Sequence, residues 1–483
     1  MLLLRTNCSI IVSDENRIRI RGGQIKLKTI SKKLLFKINS MEPAQVMVIG
    51  FGMVILLGAL ILNLPIATKS GENVGFLNAL FTSTSAVCVT GLIVVDTSTY
   101  WSEFGQFVII TLIQTGGLGF MTIATMFSLL TRKKINLRER LLIQESLNQI
   151  NLSGLVKLTR YIIVMTVVIE GIGALLLSLI FIPKLGFVKG LWYSIFHSIS
   201  AFCNAGFDLM GVFSGEYSSL TSFVDNGLIN IVVCTLIILG GLGFPVMLDI
   251  INNKKYSKLN IHSKIVLNTT AILIVIGFLF IFIAEFNNRN LGDLNLKDKL
   301  LSSLFQSVTL RTAGFNTIDL TVLSESTLFL MIILMLIGAS PASTGGGLKT
   351  TTIATLFLSL KAFILGKEDI EVYQRRISST NVNKSMGIFF IGVFIVLFGT
   401  LLLSIVNPEF NLLECAFEVV SAFATVGLSI GGSPHLTSIG KILIITLMFL
   451  GRVGSLTIFI ALISKNIKGK SKIRYPEGKV IVG

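Results

Sequence analysis

Four short glycine-centred turns recur along the chain, and the chemistry that they offer is that of their main-chain carbonyl groups. The turns are Val89-Thr90-Gly91-Leu92, Asn204-Ala205-Gly206-Phe207, Thr312-Ala313-Gly314-Phe315 and Thr425-Val426-Gly427-Leu428. Their glycines lie 115, 108 and 113 residues apart, which indicates an internal fourfold repeat. A ring of carbonyl oxygens can replace the hydration shell of a cation, and glycine adopts the backbone angles that such a ring requires.

These sixteen residues therefore predict a cation selectivity filter. The run Thr425-Val426-Gly427 matches the first three residues of the Thr-Val-Gly-Tyr-Gly loop that lines potassium channels. A short helix before each turn would direct its partially negative C-terminal end toward the ring, which favours a cation and repels an anion. Composition alone does not distinguish K⁺ from Na⁺.

A polar, glycine-rich run at 338–349 cannot continue as a helix. It is not a phosphate-binding loop, because Leu348 separates Gly347 from Lys349 and no strand precedes it. We predict a flexible intramembrane gate at the inner side of the filter; the alternative is a kink with no gating role. The predicted gate residues are Ser343, Thr344, Gly345, Gly346, Gly347, Lys349 and Arg452.

Arginines near the filter need a partner or a role, because a buried Arg costs roughly 2.5–3.5 kcal/mol in a membrane. We predict that Arg452 sets an electrostatic barrier and helps to anchor the loop; the alternative is a salt bridge to an acid such as Glu170 or Glu418. Arg311 is predicted to brace the filter, the alternative being a charge in the outer vestibule. Three acids are expected at the outer mouth, either concentrating cations or simply solvated: Asp208, Asp225 and Asp319.

The elements that position these residues must lie in a membrane, because the chain is 52% hydrophobic and only 14% charged. Stretches of about 20 apolar residues can cross a bilayer, and only Glu170 and Arg452 are charged within them. The eight predicted full spans are 44–67, 104–131, 161–183, 226–248, 265–284, 326–348, 385–408 and 442–464. Four shorter segments are predicted to re-enter the membrane: 75–92, 190–207, 300–315 and 412–428.

The second span repeats as well, with Gly-Gly-Leu-Gly at 116–119 and 240–243 and Gly-Arg-Val-Gly at 451–454. The predicted fold is an all-α polytopic membrane protein with four helix–pore-loop–helix repeats around a pseudo-fourfold central pore. The repeats are 44–131, 158–250, 262–365 with its broken second helix at 338–349, and 382–464. Basic cytoplasmic segments are predicted at 1–43 and 465–483.

Charge placement predicts the orientation. The segments on the side of the two termini carry 31 Lys and Arg, whereas the opposite side carries six outside the glycine turns. By the positive-inside rule, both termini lie in the cytoplasm of a multi-pass cell-membrane protein. The net charge of +16 is therefore a topology signal that anionic lipid of the bilayer can reinforce, and it does not require nucleic acid.

Other classes of protein lack their signatures here. The five cysteines form no CxxC pair and the three histidines are widely spaced, so we expect no metal beyond a transported ion and no resident cofactor. An enzyme would need paired acids or a nucleophile with its base inside the spans. The main rival is a polytopic secondary transporter of another cation or small solute, which predicts inverted repeats. The leading apolar run is too short for a signal peptide, so we expect the mature chain to begin near Met1.

The four turns, the broken segment 343–349 and Gly451-Arg452 together resemble the Trk/Ktr/HKT superfamily of potassium transporters. The resemblance covers about residues 44–464. Its nearest subgroup is the KtrB-type subunit, because the basic segment 1–43 contains no additional pair of spans.

The resemblance implies K⁺ as the transported ion and a homodimer in which each subunit has its own pore. It also implies a cytoplasmic KtrA-like nucleotide-binding regulatory subunit. Glycine at all four turn positions favours potassium, since a serine in the first turn of plant relatives is associated with sodium permeation. Ktr-type members are often sodium-dependent, but no residue set in this sequence defines a sodium site.

Overall fold

The computed structural model of the protein describes residues 43–119, 155–292 and 294–454, with isolated positions at 122, 125, 140–142, 144 and 457. Nearly all of the predicted basic segment 1–43 lies outside the described residues, and so does 465–483. The final residues of the spans predicted at 104–131 and 442–464 also lie largely outside them.

The described chain is almost entirely helical, with fourteen helices of ten or more residues. In chain order they are α1 Pro43–Leu62, α2 Phe76–Cys88, α3 Glu103–Leu118, α4 Leu155–Leu185, α5 Phe187–Phe202, α6 Gly227–Leu242, α7 Phe244–Asn253, α8 Ile261–Ala284, α9 Leu296–Thr309, α10 Glu325–Leu336, α11 Thr350–Ile364, α12 Ser379–Val406, α13 Leu412–Ala424 and α14 Ser438–Val453.

Short elements connect them. The described connections contain two four-residue helices and five three-residue 3-10 helices, namely Gly211–Ser214, Arg289–Gly292, Pro65–Ala67, Thr221–Phe223, Tyr256–Lys258, Leu320–Val322 and Ser433–His435. After α11, strands β1 (Ile370–Val372) and β2 (Arg375–Ile377) pair antiparallel, with Val372 opposite Arg375.

Within the described part of the chain, four helices are long and apolar enough to cross a bilayer, namely α1, α4, α8 and α12, with 20, 31, 24 and 28 residues. A helix rises 1.5 Å per residue, so each exceeds or matches the roughly 30 Å hydrocarbon core. Only 22–39% of their most apolar windows is buried inside the protein, so most of their side chains face outward. The chain is therefore a membrane protein with several apolar spans, and the first span of each predicted repeat is a single long helix.

The break at 338–349 in the second span of the third repeat was predicted, but the second span of the second repeat differs from the prediction because it is interrupted as well. The span predicted at 226–248 consists of α6 and α7, which meet at an angle of 98°. The bend lies at Gly243, whose φ of 91° cannot occur within a right-handed α-helix. Gly119 and Gly454, with φ of 79° and 92°, end α3 and α14 in the same way. Between α10 and α11 the chain leaves helical geometry from Ile337 to Lys349.

The four short helices α2, α5, α9 and α13 correspond to the segments predicted to re-enter the membrane. They contain 13, 16, 14 and 13 residues, which is about 20–24 Å at 1.5 Å per residue and too short to cross. Each ends within a few residues of its glycine turn, and the side chains of the turns are buried in the protein.

A serine on each of the first three short helices packs against a glycine of the preceding long helix. The hydroxyl donates a hydrogen bond to the carbonyl one turn before that glycine, at distances of 2.6–2.7 Å. The glycine is required because an added Cβ would overlap the serine oxygen. The donor, acceptor and glycine sets are Ser83, Ile55 and Gly58; Ser198, Glu170 and Gly173; and Ser307, Ile274 and Gly277.

The Gly-Gly-Leu-Gly and Gly-Arg-Val-Gly runs let α3, α6 and α14 pack backbone to backbone on the short helices. A Cβ on the first glycine of each run would overlap a carbonyl oxygen four residues before the corresponding turn glycine. The pairs are Gly116 with Val87, Gly240 with Phe202 and Gly451 with Phe423. These glycines fix where each second helix lies relative to its turn.

Replacing Gly240 with Ala is expected to lower the unfolding free energy by about 1–3 kcal/mol or more, as overpacking of a rigid site does. The added methyl would overlap the Phe202 carbonyl and lie 2.6 Å from Oδ1 of Asn204. Gly171→Ala is the matched control, because it also lies in an apolar helix but has no atom within 4 Å of the added methyl. The measurement is the melting temperature of each variant in detergent, and equal melting temperatures would contradict the packing argument.

Candidate functional site

The four glycine turns meet one another in cyclic order. A Cβ built on each turn glycine would crowd the carbonyl oxygen that precedes the glycine of the next turn. The approaches are Gly91 to Ala205 at 2.5 Å, Gly206 to Ala313 at 2.8 Å, Gly314 to Val426 at 2.6 Å, and Gly427 to Thr90. The fourth turn thus returns to the first, and the tertiary structure brings four segments together that are more than a hundred residues apart.

Each turn has the same backbone conformation, with positive φ at the glycine and again two residues before it. The φ angles are 57°, 59°, 68° and 54° for Val89, Asn204, Thr312 and Thr425, and 94°, 69°, 81° and 93° for Gly91, Gly206, Gly314 and Gly427. The intervening residue has negative φ in all four. Alternating conformations of opposite hand bring successive main-chain polar groups to one side of the chain.

The left-handed residues before the glycines were not predicted. Val89, Thr312 and Thr425 are β-branched, and positive φ is unusual for such side chains. It costs on the order of 1–3 kcal/mol per residue and persists only where the surroundings impose it. The recurrence of this strain at four equivalent positions marks the turns as the site around which the fold is organised.

A hydroxyl on each short helix fixes its turn. Ser85 and Ser421 accept hydrogen bonds of 3.1 Å from the main-chain N–H of Gly91 and Gly427. On α5 and α9 the hydroxyl instead donates 2.6 Å bonds to the carbonyl after the glycine, namely Ser200 to Phe207 and Thr309 to Phe315. Sequence reasoning missed these four residues. The available signal was a Ser or Thr five or six residues before each turn glycine.

The polar surface of the ring is main chain. The twelve non-glycine side chains of the four tetrapeptides are all at most 1% exposed. The short helices end just before the turns, so their partially negative ends approach the ring. Carbonyl oxygens and helix C-termini together favour a cation at this place and disfavour an anion.

The interrupted segment between α10 and α11 lies directly against three of the four turns. The Thr344 hydroxyl donates to the carbonyl of Phe202 at 3.2 Å, and the N–H of Gly346 donates to the Thr425 hydroxyl at 3.0 Å. Gly345 has no room for a Cβ because the Thr312 hydroxyl occupies that space. Ser343 differs from its neighbours, since its hydroxyl bonds to Ser340 within the loop.

Arg452 connects this loop to two other elements. Its guanidinium donates to the carbonyls of Thr344 and Gly116, and at 3.2 Å to that of Gly117. Among the residues that the structure describes, Arg452 forms no salt bridge, so the alternative of a pair with Glu170 or Glu418 is wrong. Glu170 accepts from Gln114 at 3.2 Å, and Glu418 accepts from Ser433 at 2.7 Å.

Two further cations bond to carbonyls of the same segment. The ammonium of Lys349 donates to the carbonyls of Gly345 at 2.8 Å and Gly346 at 3.4 Å. Arg311 is 5% exposed and donates to the carbonyl of Gly338 at 3.3 Å. A position in the outer vestibule is therefore wrong for Arg311, which joins the third turn to the start of the loop.

The three acids expected at the outer mouth have different surroundings. Asp208 accepts from the N–H of Met210 at 2.8 Å, close behind the second turn. Asp319 caps the 3-10 helix that follows it and lines a cavity of about 500 Å³. Asp225 is exposed. The structure does not bring the three acids into one cluster, because within the described residues no group of three acidic, His or Cys side chains could hold a metal.

Comparison with known proteins agrees with this geometry. The family model described as "TrkH: Cation transport protein" matches residues 19–471. The potassium/sodium uptake protein NtpJ of Enterococcus hirae is 43% identical over 458 residues, 94% of this chain and 100% of that protein. The Ktr system potassium uptake protein B of Bacillus subtilis is 42% identical over 456 residues, again 94% and 100%.

The crystal structure of the potassium transporter TrkH from Vibrio parahaemolyticus shares the fold, with a TM-score of 0.66 at 19% identity. The similarity covers 86% of this chain and 83% of that one. A family match over nearly the whole chain, with relatives above 40% identity along their full length, confirms the resemblance noted in the sequence. The chain belongs to the TrkH/KtrB family of cation transport proteins, which are multi-pass membrane transporters and not enzymes.

Proposed function

We propose that this chain takes up potassium across the cell membrane through a channel-like pore. The observation that carries the proposal is the cyclic closure of the four glycine turns, whose inward surface is main chain. The proposed filter consists of the sixteen residues 89–92, 204–207, 312–315 and 425–428. The names of the two relatives, a potassium/sodium uptake protein and a potassium uptake protein, support the choice of ion.

The proposed architecture is four helix–pore-loop–helix repeats around a pseudo-fourfold axis. Three observations support it: one long apolar helix opens each repeat, one short helix precedes each turn, and the glycine contacts recur at matched positions. The distribution of Lys and Arg in the sequence supports cytoplasmic termini. In that orientation the connection after α11, with β1 and β2, is cytoplasmic.

The proposed gate is the segment 338–349, held by Arg452 and Lys349. The segment lies against Thr312 and Thr425 and bonds to the carbonyls of the ends of α5 and α6. Its helical geometry is interrupted, so it can move without breaking a continuous helix. Movement of this segment away from the turns would open the pathway.

The proposed assembly is a homodimer regulated by a separate cytoplasmic nucleotide-binding subunit of the KtrA kind. The support is that the second relative is a protein of a "Ktr system" and that this sequence contains no dinucleotide-binding motif after a strand. The relative from Enterococcus hirae is a potassium/sodium uptake protein, which supports sodium dependence of uptake.

The test is growth rescue and Rb⁺ or K⁺ uptake in a bacterium that lacks its own potassium uptake systems. The chain is expressed alone and together with a KtrA-like subunit, with and without external Na⁺. Uptake that the partner increases would support both the transport function and its regulation. Failure of uptake in every combination would overturn the proposal and favour a transporter of another cation or solute.

External pH is expected to change uptake through Asp208, which lies in the outer connection just after the second turn. Burial, with the nearby charge of Asp96, raises the pKa of this carboxyl to about 7. The carboxylate is charged above that pH and neutral below it, so its attraction for cations is lost as the pH falls from 8 to 6. We therefore expect a lower initial uptake rate at pH 6 than at pH 8.

Asp208→Asn should remove this dependence and hold uptake near the wild-type value at pH 6. The matched control is Asp225→Asn, an exposed acid of the same connection, which should keep the wild-type profile. The measurement is initial Rb⁺ uptake against external pH. A wild-type slope retained in Asp208→Asn would exclude this carboxyl as its source.

A further inference from the structure

The four turns are alike in backbone conformation but differ in the hydrogen bond made by the hydroxyl behind them. On α2 and α13 the hydroxyl accepts from the N–H of the turn glycine, with Ser85 on Gly91 and Ser421 on Gly427. That bond leaves the carbonyl after the glycine without a hydroxyl partner. The carbonyls of Leu92 and Leu428 accept no hydrogen bond from a side chain among the described residues.

On α5 and α9 the hydroxyl instead donates a hydrogen bond to a carbonyl. Ser200 donates to the carbonyl of Phe207 and Thr309 donates to that of Phe315, each at 2.6 Å. An O–H···O distance of 2.6 Å is at the short end of the usual range. A carbonyl oxygen has two lone pairs, so each bond occupies one of them with a hydroxyl of the carbonyl's own short helix and lowers the negative charge left for a cation.

Further hydrogen bonds are made close to the carbonyls of Phe207 and Phe315. The N–H of Asn316, next to Phe315, donates to the Ser219 hydroxyl at 3.2 Å. Two residues after Phe207, the N–H of Leu209 donates to Nε2 of His197 at 3.2 Å. The Asn316 N–H belongs to the same peptide unit as the Phe315 carbonyl, whereas the Leu209 N–H lies one peptide unit beyond the Phe207 carbonyl.

The carbonyls of Phe207 and Phe315, which accept these hydroxyl bonds, belong to adjacent turns. The cyclic order of contacts places Gly206 beside Ala313, so the second and third turns are neighbours. At the level just after the glycines, two carbonyls on one side of the ring therefore accept no side-chain hydrogen bond among the described residues, and two on the other side each accept one from a hydroxyl. The ring two residues earlier, made by the carbonyls of Thr90, Ala205, Ala313 and Val426, is approached closely by all four turn glycines.

Selectivity for K⁺ over Na⁺ depends on the number and field strength of the coordinating carbonyl dipoles. We propose that Ser200 and Thr309 limit selectivity by weakening the Phe207 and Phe315 carbonyls as ligands of the outermost cation site. That site then has two carbonyl ligands of full field strength instead of four and discriminates weakly between K⁺ and Na⁺. The two hydroxyls are positioning residues, since they act through the carbonyls and touch no ion. The inference rests on the proposed potassium uptake function.

The experiment removes each hydroxyl with little change of shape, using Ser200→Ala, Thr309→Val and the double variant. Released carbonyls regain their full acceptor strength without moving, so the ratio of Rb⁺ to Na⁺ uptake is expected to rise by about threefold to tenfold, which corresponds to the net contribution of one hydrogen bond. Ser200→Thr keeps a hydroxyl and should retain the wild-type ratio. Ser85→Ala, which removes a hydroxyl that holds no carbonyl, should not raise it.

The direction of the change separates this role from general damage, because a loosened filter loses selectivity rather than gaining it. An unchanged or lower ratio in both single variants would overturn the inference, and the single variants decide the matter if the double variant does not fold. A wild-type protein that takes up neither Rb⁺ nor K⁺ would instead overturn the proposed function. The two failures are therefore distinguishable.

Discussion

Replacing Gly314 with Ser is expected to raise Na⁺ permeation relative to K⁺ by about tenfold or more, the equivalent of roughly 1.4 kcal/mol between the two ions. A Cβ at this position would lie 2.6 Å from the carbonyl oxygen of Val426, so one of the two turns must move. The φ of 81° adds roughly 1–2 kcal/mol of strain for any residue with a side chain. Gly91→Ser should act in the same way, because its Cβ would lie 2.5 Å from the Ala205 oxygen.

The matched control is Gly431→Ser. Gly431 lies four residues beyond the last turn glycine and has a similar φ of 91°, but no atom lies within 4 Å of an added Cβ. It therefore carries the backbone strain without the crowding of the ring. The measurement is the uptake ratio of Rb⁺ to Na⁺ in whole cells. Unaltered selectivity in both Gly91→Ser and Gly314→Ser would mean that these turns are not the filter.

Replacing Arg452 with Gln is expected to raise K⁺ uptake without the regulatory subunit by on the order of tenfold, as a charge barrier of modest size would predict. The substitution removes the positive charge beside the proposed pathway. It also removes the guanidinium that joins the carbonyls of Thr344, Gly116 and Gly117. Both losses favour an open pathway, since the loop is released and the barrier is lowered.

Arg452→Lys separates the two effects, because lysine keeps the charge but cannot bond to carbonyls of both elements in a planar fork. Slow uptake in the lysine variant would assign the effect to charge, and fast uptake would assign it to release of the loop. Lys367→Gln is the control, as it removes an exposed charge whose partner is Glu371. Unchanged rate and selectivity in Arg452→Gln would eliminate this residue from the gate.

The long membrane helices were predictable because their signal is local. A run of about 20 apolar residues needs no information from elsewhere in the chain to prefer hydrocarbon. The breaks in the second spans were not all predictable. Glycine within an apolar helix is tolerated, and Gly241 continues α6 whereas Gly243, two residues later, bends the chain by 98°. The difference lies in what each glycine contacts. A Cβ added to Gly243 would lie 2.5 Å from the carbonyl oxygen of Pro341, so the backbone of Gly243 packs closely on that carbonyl.

In the candidate site, too, some features could be predicted from the sequence and others could not. The turn glycines could be found because four matched positions recur at nearly constant spacing. The bond partners of Arg452 could not, since its acceptors Thr344 and Gly116 lie 108 and 336 residues away and are main-chain groups that every residue possesses. A side chain that bonds to carbonyls leaves no complementary residue type to detect. The expected acids, Glu170 and Glu418, were the partners that residue type alone suggests.

The amino-acid sequence by itself determined that this protein lies in a membrane, that its apolar helices are long, and that four glycine turns recur between them. Those properties depend on composition and spacing, which act over a few residues or repeat along the chain. The tertiary structure decided that the turns close into a ring, that Val89, Thr312 and Thr425 adopt left-handed conformations, and that two of the four hydroxyls hold carbonyls. Such conformations are unfavourable in isolation, and only contacts between distant segments supply the free energy that stabilises them.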